Sequence, residues 1–153
     1  MRIWELHPSL IHFPIAFLLG GVAVEFWAVF KKHPGATRTA AGLLLAGMIL
    51  GWLAALAGVV AFFTAPHSGR AHELMYYHGA AAATSMVLFT WLAVVRWRGR
   101  DGFARPSLRL LAGLASLVLL GTGYLGGYLV YHAAAGIERA ENHGDGHGHG
   151  HSE

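Results

Sequence analysis

His7-Pro8-Ser9-Leu10-Ile11-His12-Phe13-Pro14 stands at the lip of an apolar run that reaches Phe30 and stops at Lys31-Lys32-His33-Pro34-Gly35. Proline is tolerated in the first turn of a helix, where its missing N–H has no intrahelical partner to lose. Pro14 is therefore expected to open a helix, with His12 at its mouth. A run of about 20 apolar residues crosses about 30 Å of hydrocarbon at 1.5 Å per residue. Three more runs of this kind follow, so the spans are read as residues 11–30, 39–63, 75–95 and 108–131. They end at the Lys/His/Pro/Gly stop, at Pro66, at Arg96-Trp97-Arg98-Gly99-Arg100, and at Tyr131. Short connections make neighbouring spans antiparallel. The expected fold is all-α: a polytopic membrane protein with an antiparallel four-transmembrane-helix bundle.

Composition agrees. Of 153 residues, 55% are apolar and 12% charged, against about 25% charged in soluble domains. The first run reads as a retained span. Arg2 is its single early basic residue, the run is too long for a signal core, and no small-residue cleavage site follows. There is no cysteine, which excludes disulfides, thiolate-held iron–sulfur clusters and covalently attached haem. The net charge is +3, and no basic patch interleaved with aromatics points to nucleic acid. Residues 1–137 form the expected membrane domain. Residues 138–153 are expected to be a disordered His/Gly-rich tail.

Basic residues orient the bundle. Lys31, Lys32, Arg38, Arg96, Arg98, Arg100, Arg105 and Arg109 fall on one side, and Arg2, Arg70 and Arg139 on the other. The richer side is expected to be cytoplasmic, with both termini outside. Trp4, Tyr76, Tyr77, Tyr128 and Tyr131 suit an outer aromatic belt, and Trp27 and Trp97 an inner one. Gly47 with Gly51, and Gly123 with Gly127, have the spacing that lets membrane helices approach closely.

Eleven histidines are the anomaly. In this topology His7, His12, His67, His72, His78 and His132 gather at the outer end. His12 lies 19 residues from Lys31, His78 lies 18 from Arg96, and His132 lies 23 from Arg109. His12 and His78 thus share a depth, with His132 about a turn further out. Two imidazoles from different helices at one level can hold a haem iron from both faces. His12 stands above Ala16, Leu19 and Ala23, and His78 above Ala81, Ala82 and Ser85, mostly small surfaces. Each histidine alone also suits an ordinary interfacial position. His7/His12 and His67/His72 have the spacing of membrane di-iron boxes, but adjacent His-His pairs are lacking. In the tail, His143, His147, His149 and His151 alternate with glycine, a flexible ligand set for Zn²⁺, Cu²⁺ or Ni²⁺. Glu25 is the carboxylate inside a span. It reads either as a proton-relay or quinone-site group, or as the partner of Arg96 or Arg109. Glu73 can orient His72. Thr84 and Ser85 have no assembled base, and no phosphate loop is present.

The opening His7-Pro8 through His12-Phe13-Pro14-Ile15, the ending Gly126-Gly127-Tyr128-Leu129-Val130-Tyr131, and His78 at the start of the third helix carry a resemblance. On these residues the chain resembles a bacterial family of uncharacterised four-helix membrane proteins, over about residues 1–137. The family opens with HPxxxHFPI and closes with GGxLVY. Relatives joined to Rieske or cytochrome-type modules imply a redox setting, although no such module lies within these residues. After Tyr131 the chain departs from the family, with Ala133-Ala134-Ala135-Gly136 in place of a more Gly-rich ending.

The leading expectation is a small redox-associated protein of the bacterial inner membrane. Haem b would lie between His12 and His78, with His72 or His132 as substitutes. The alternative is a metal-handling membrane protein using His7, His67 and the tail histidines. A third reading is a scaffold for a respiratory partner, with Gly123 and Gly127 on its contact surface. Expected partners are the lipid bilayer, a quinone or external redox protein, and a second copy of the chain.

Overall fold

A computed structural model of the chain describes residues 2–66, 69–99, 103 and 105–133. A 3-10 turn, Ile3–Glu5, runs into α1 (Leu6–Leu10) and α2 (His12–Lys31). Then come α3 (Pro34–Thr64), α4 (Gly69–Arg98) and α5 (Pro106–Ala133). Every element among the described residues is helical, and four rods are long and apolar enough to cross a membrane: Ile3–Lys31, Pro34–Thr64, Ala71–Arg98 and Pro106–Ala133. The residues proposed for the tail lie outside the described residues.

Each rod is longer than the apolar run that announces it. The first shows why. Pro14 has no N–H to give the carbonyl of Leu10, and its ring crowds that carbonyl. The helix is interrupted at Ile11, which still keeps helical angles, φ −62° and ψ −26°. The direction of the chain survives the interruption, so the first span begins at Ile3 rather than near Ile11. His7 is thereby carried on the same rod as Glu25.

Lys32 ends α2 in the left-handed region, φ 51°. The His33 side chain accepts from the N–H of Ala36 at 3.2 Å, and Pro34 occupies the first turn of α3. Two residues therefore reverse the chain. The bundle is two helical hairpins: α2 packs most closely on α3, and α4 on α5. Leu18, Val22, Leu44, Phe89, Leu92, Phe103, Leu108, Ala112, Ala115 and Leu119 form their shared core. Large apolar side chains such as Phe30, Leu56, Leu110 and Leu117 face outward, as expected where the solvent is lipid. Gly47 and Gly51 fulfil their expected role. An added Cβ would come within 2.8 Å of the Leu18 side chain and 2.7 Å of the Met86 side chain, respectively. Gly123 and Gly127 do not pack within the chain, since nothing lies within 4 Å of a Cβ placed there.

The two hairpins repeat. Pro14, Leu18, Gly21, Val22 and Glu25 are buried on α2. Positions 71 further on are Ser85, Phe89, Leu92, Ala93 and Arg96, all buried on α4. Ala40, Leu44, Gly47, Gly51 and Ala54 are buried on α3. Positions 68 further on are Leu108, Ala112, Ala115, Leu119 and Thr122, all buried on α5. The inward stripes of the two hairpins are thus in register although their residues differ. This is the parallel-repeat arrangement, two equivalent halves about an axis along the bundle.

Glu25 and Arg96 are equivalent positions in this repeat, and they meet. Arg96 Nε donates to Glu25 Oε2 at 3.4 Å. Arg96 also donates to the carbonyls of Gly99 at 3.1 Å and Thr37 at 2.8 Å. The backbone N–H of Phe103 donates to Glu25 Oε1 at 3.0 Å. Glu25 is fully buried and Arg96 nearly so. Burying one charge alone is costly, so removing one partner of such a pair costs about 3–5 kcal/mol. Arg96→Ala is therefore expected to lower the thermal midpoint in detergent far more than Arg98→Ala does. Equal midpoints for the two variants would contradict this role for Arg96.

Candidate functional site

At the end of the bundle opposite Arg96, two histidines meet. His7, on α1, donates from Nδ1 to the carbonyl of Ala54 on α3 at 2.8 Å. His78, on α4, donates from Nδ1 to the carbonyl of Thr122 on α5 at 3.1 Å. A carbonyl only accepts, so each Nδ1 carries a proton, and in the neutral imidazole Nε2 then keeps its lone pair. This fixed tautomer is the one that leaves Nε2 able to ligate a metal. The ring centres are 6.1 Å apart, with planes at 80°.

The same local device seats both rings. A helical side chain covers the turn N-terminal to its own Cα. Gly58 and Gly126 stand four residues after Ala54 and Thr122 and bear no side chain, so both carbonyls are open to an imidazole. A Cβ at Gly58 would lie 2.9 Å from His7 Cε1, and one at Gly126 would lie 3.1 Å from His78 Cε1. Below His78, the hydroxyls of Ser85 and Thr122 lie 3.2 Å apart. Thr122 Oγ1 also donates to Val118 O at 2.9 Å. The site is thus a pair of equivalent units, each a histidine, a carbonyl and a glycine, facing one another across the bundle axis.

The structure brings His7, rather than His12, beside His78. His12 is exposed, on the same stripe of α2 as exposed Ala16, Ala23, Trp27 and Phe30. It points half a turn away from buried Pro14, so it faces lipid, and His7 takes its place. His72 lies against Phe62 and Tyr76, with ring centres 5.2 Å and 5.1 Å away. His132 is exposed and stacks on Tyr128 at 4.5 Å. Neither joins His78. Glu25 occupies the ion pair with Arg96, and Glu73 is exposed. His67, His143, His147, His149 and His151 lie outside the described residues. Among the described residues no three of His, Cys, Asp or Glu cluster as a metal site.

Sequence reading named His7 as a metal ligand and a motif residue, quoted Gly126 only within the family ending, and passed over Gly58 and the two carbonyls. A signal for them exists, because His7 precedes Glu25 by eighteen residues, as His78 precedes Arg96.

Substitution of the glycines separates seating from helix propensity. Gly58→Ala and Gly126→Ala are each expected to displace a ring and cost about 1–3 kcal/mol. Gly123→Ala meets open space and should be neutral or stabilising. Thermal unfolding in detergent reads the difference. Gly126→Ala as stable as Gly123→Ala would contradict the close seating of His78.

Over residues 4–139 the chain matches the sequence profile of a family described as "Predicted membrane protein (DUF2231)". No curated protein and no solved structure matches the chain.

Proposed function

Because the chain belongs to the DUF2231 family of predicted membrane proteins, we propose that it is a small membrane redox protein that holds haem b between His7 and His78. The observation that carries this reading is the 6.1 Å between the two ring centres. A metal–imidazole bond of about 2.0–2.1 Å puts two rings that face one ion from opposite sides about 6 Å apart. The lone-pair nitrogens are already selected by the carbonyl bonds at Nδ1.

Ligand count supports haem over a bare ion. Two histidines meet here without a third protein ligand among the described residues. A haem iron takes only two axial ligands, because the macrocycle supplies the rest. A bare Zn²⁺ ion takes three or four protein ligands. Beside Gly126, the backbone at Gly123 and Gly127 is bare, so a flat ring can lie against α5. Bound haem supplies one-electron chemistry. The chain would supply the two imidazoles, each held through Nδ1 by a helix carbonyl, and the electron partner would be a quinone or an external redox protein.

A second reading rests on the sequence beyond Ala133. His143, His147, His149 and His151 are spaced by glycine, and they can complete a Zn²⁺, Cu²⁺ or Ni²⁺ site begun by His7 and His78. The charge bias of the connections supports a histidine end that faces outward, and a bacterial inner membrane is part of the proposal.

Purified protein from haem-replete cells is expected to show a haem absorbance band. His7→Ala and His78→Ala should each lose most of it, and His12→Ala should keep it. A band lost with His12→Ala but kept with His7→Ala would overturn the assignment. Absence of haem together with one equivalent of Zn, Cu or Ni, lost on deletion of residues 143–153, would replace it with the second reading.

A further inference from the structure

Among the described residues, one buried side-chain polar atom has no hydrogen-bond partner: Nε1 of Trp4. An indole N–H is a donor only. Leaving it unpaired away from water costs free energy, so such an atom asks for an acceptor. Its place is informative. Trp4 lies in the 3-10 turn that runs directly into α1, three residues before His7. Residues three apart on a helix are neighbours on one face, and both the turn and α1 pack against α3. The orphaned donor therefore stands one turn before His7, at the N-terminal end of the first rod.

Two further observations bear on what would meet it. The guanidinium of Arg2 lies over the Trp4 ring, 5.5 Å from its centre, which places a positive charge at this level. Glu5 is engaged locally, accepting from the backbone N–H of Arg2 at 2.9 Å. The repeat also breaks here. The position on α4 equivalent to Trp4 is Met75, whose side chain has no N–H or O–H to donate. The two halves present equal imidazoles, but of these two equivalent positions Trp4 alone carries a side-chain donor.

We propose that Trp4 is a third binding residue of the His7/His78 site, with its indole N–H donating to a carboxylate oxygen of the bound ligand. This rests on the haem reading above. The symmetric pair grips the two faces of the ring, and the one-sided donor takes a carboxylate carried on one edge. Haem has this form, with two equivalent faces and both propionates on the same edge. Trp4 would thereby orient the macrocycle, with its carboxylates toward Trp4 and Arg2.

Full-length protein in detergent, titrated with haem and with haem dimethyl ester, tests this. In the ester both carboxylates are blocked. A hydrogen bond to a charged group corresponds to about tenfold or more in affinity. Wild-type protein should prefer haem over the ester by at least about tenfold on that basis. Trp4→Phe keeps the ring and removes the N–H. It should bind the ester as wild type does and lose most of the preference for haem. A preference undiminished in Trp4→Phe, or absent from wild type, overturns the role of Trp4 while leaving haem binding in place. Equal weakening of both compounds by Trp4→Phe would make Trp4 a packing residue and also overturn it. Wild-type protein that binds neither compound brings down the haem reading itself.

Discussion

The Glu25–Arg96 pair constrains everything else in this bundle. A carboxylate and a guanidinium inside a membrane-spanning segment need one another, because neither has water to turn to. Their meeting ties α2 to α4. The added bonds to Thr37 O, Gly99 O and Phe103 N–H tie in the start of α3 and the approach to α5. Pairing also fixes rotation. Eighteen residues are five turns of an α-helix at 3.6 residues per turn, so a residue eighteen positions from Glu25 returns to the face of Glu25. That residue is His7, and the residue eighteen positions from Arg96 is His78. Once the charged pair faces inward at one end, the histidine pair must face inward at the other. The break at Ile11 keeps helical angles and does not spoil the alignment.

The same arithmetic explains what sequence reading recovered and what it missed. The four spans, their antiparallel order and the helical character of the described residues were legible, because bilayer thickness imposes long apolar runs and leaves little choice of element. Depth was counted from Lys31 and Arg96 as if they were level, whereas Arg96 meets Glu25, six residues before Lys31. Rotation was not used, and that count alone pairs His12 with His78. His12 stands thirteen residues from Glu25, five fewer than His7, so it lies about 7.5 Å deeper than the histidine pair and, well off a whole number of turns, on another face. The partner of Glu25 was foreseen as Arg96 or Arg109. Following that pairing along the helices would have led to His7.

The twofold repeat stayed hidden for another reason. The hairpins share a pattern of buried positions, not residues: Pro14 corresponds to Ser85, Gly47 to Ala115, and Glu25 to Arg96. A comparison of residue identities finds little there, whereas burial in the fold places the stripes in register. What the halves do keep is chemical: a histidine, a helix carbonyl, and a glycine four residues after it that leaves the carbonyl open. Two such units face to face make a site at the axis with two equivalent nitrogens. Gly123 and Gly127, whose spacing suggested helix packing, instead leave the flank of α5 bare beside that site.

The central claim is that His7, and not His12, faces His78 across the bundle. The natural chain has no cysteine, so paired cysteines can be introduced without removing native thiols. The most direct measurement is cross-linking in native membranes with a short bifunctional thiol reagent that fluoresces only when both ends have reacted. Fluorescence is expected from the His7→Cys/His78→Cys protein and none from His12→Cys/His78→Cys. Fluorescence from the His12 pair with none from the His7 pair would contradict it.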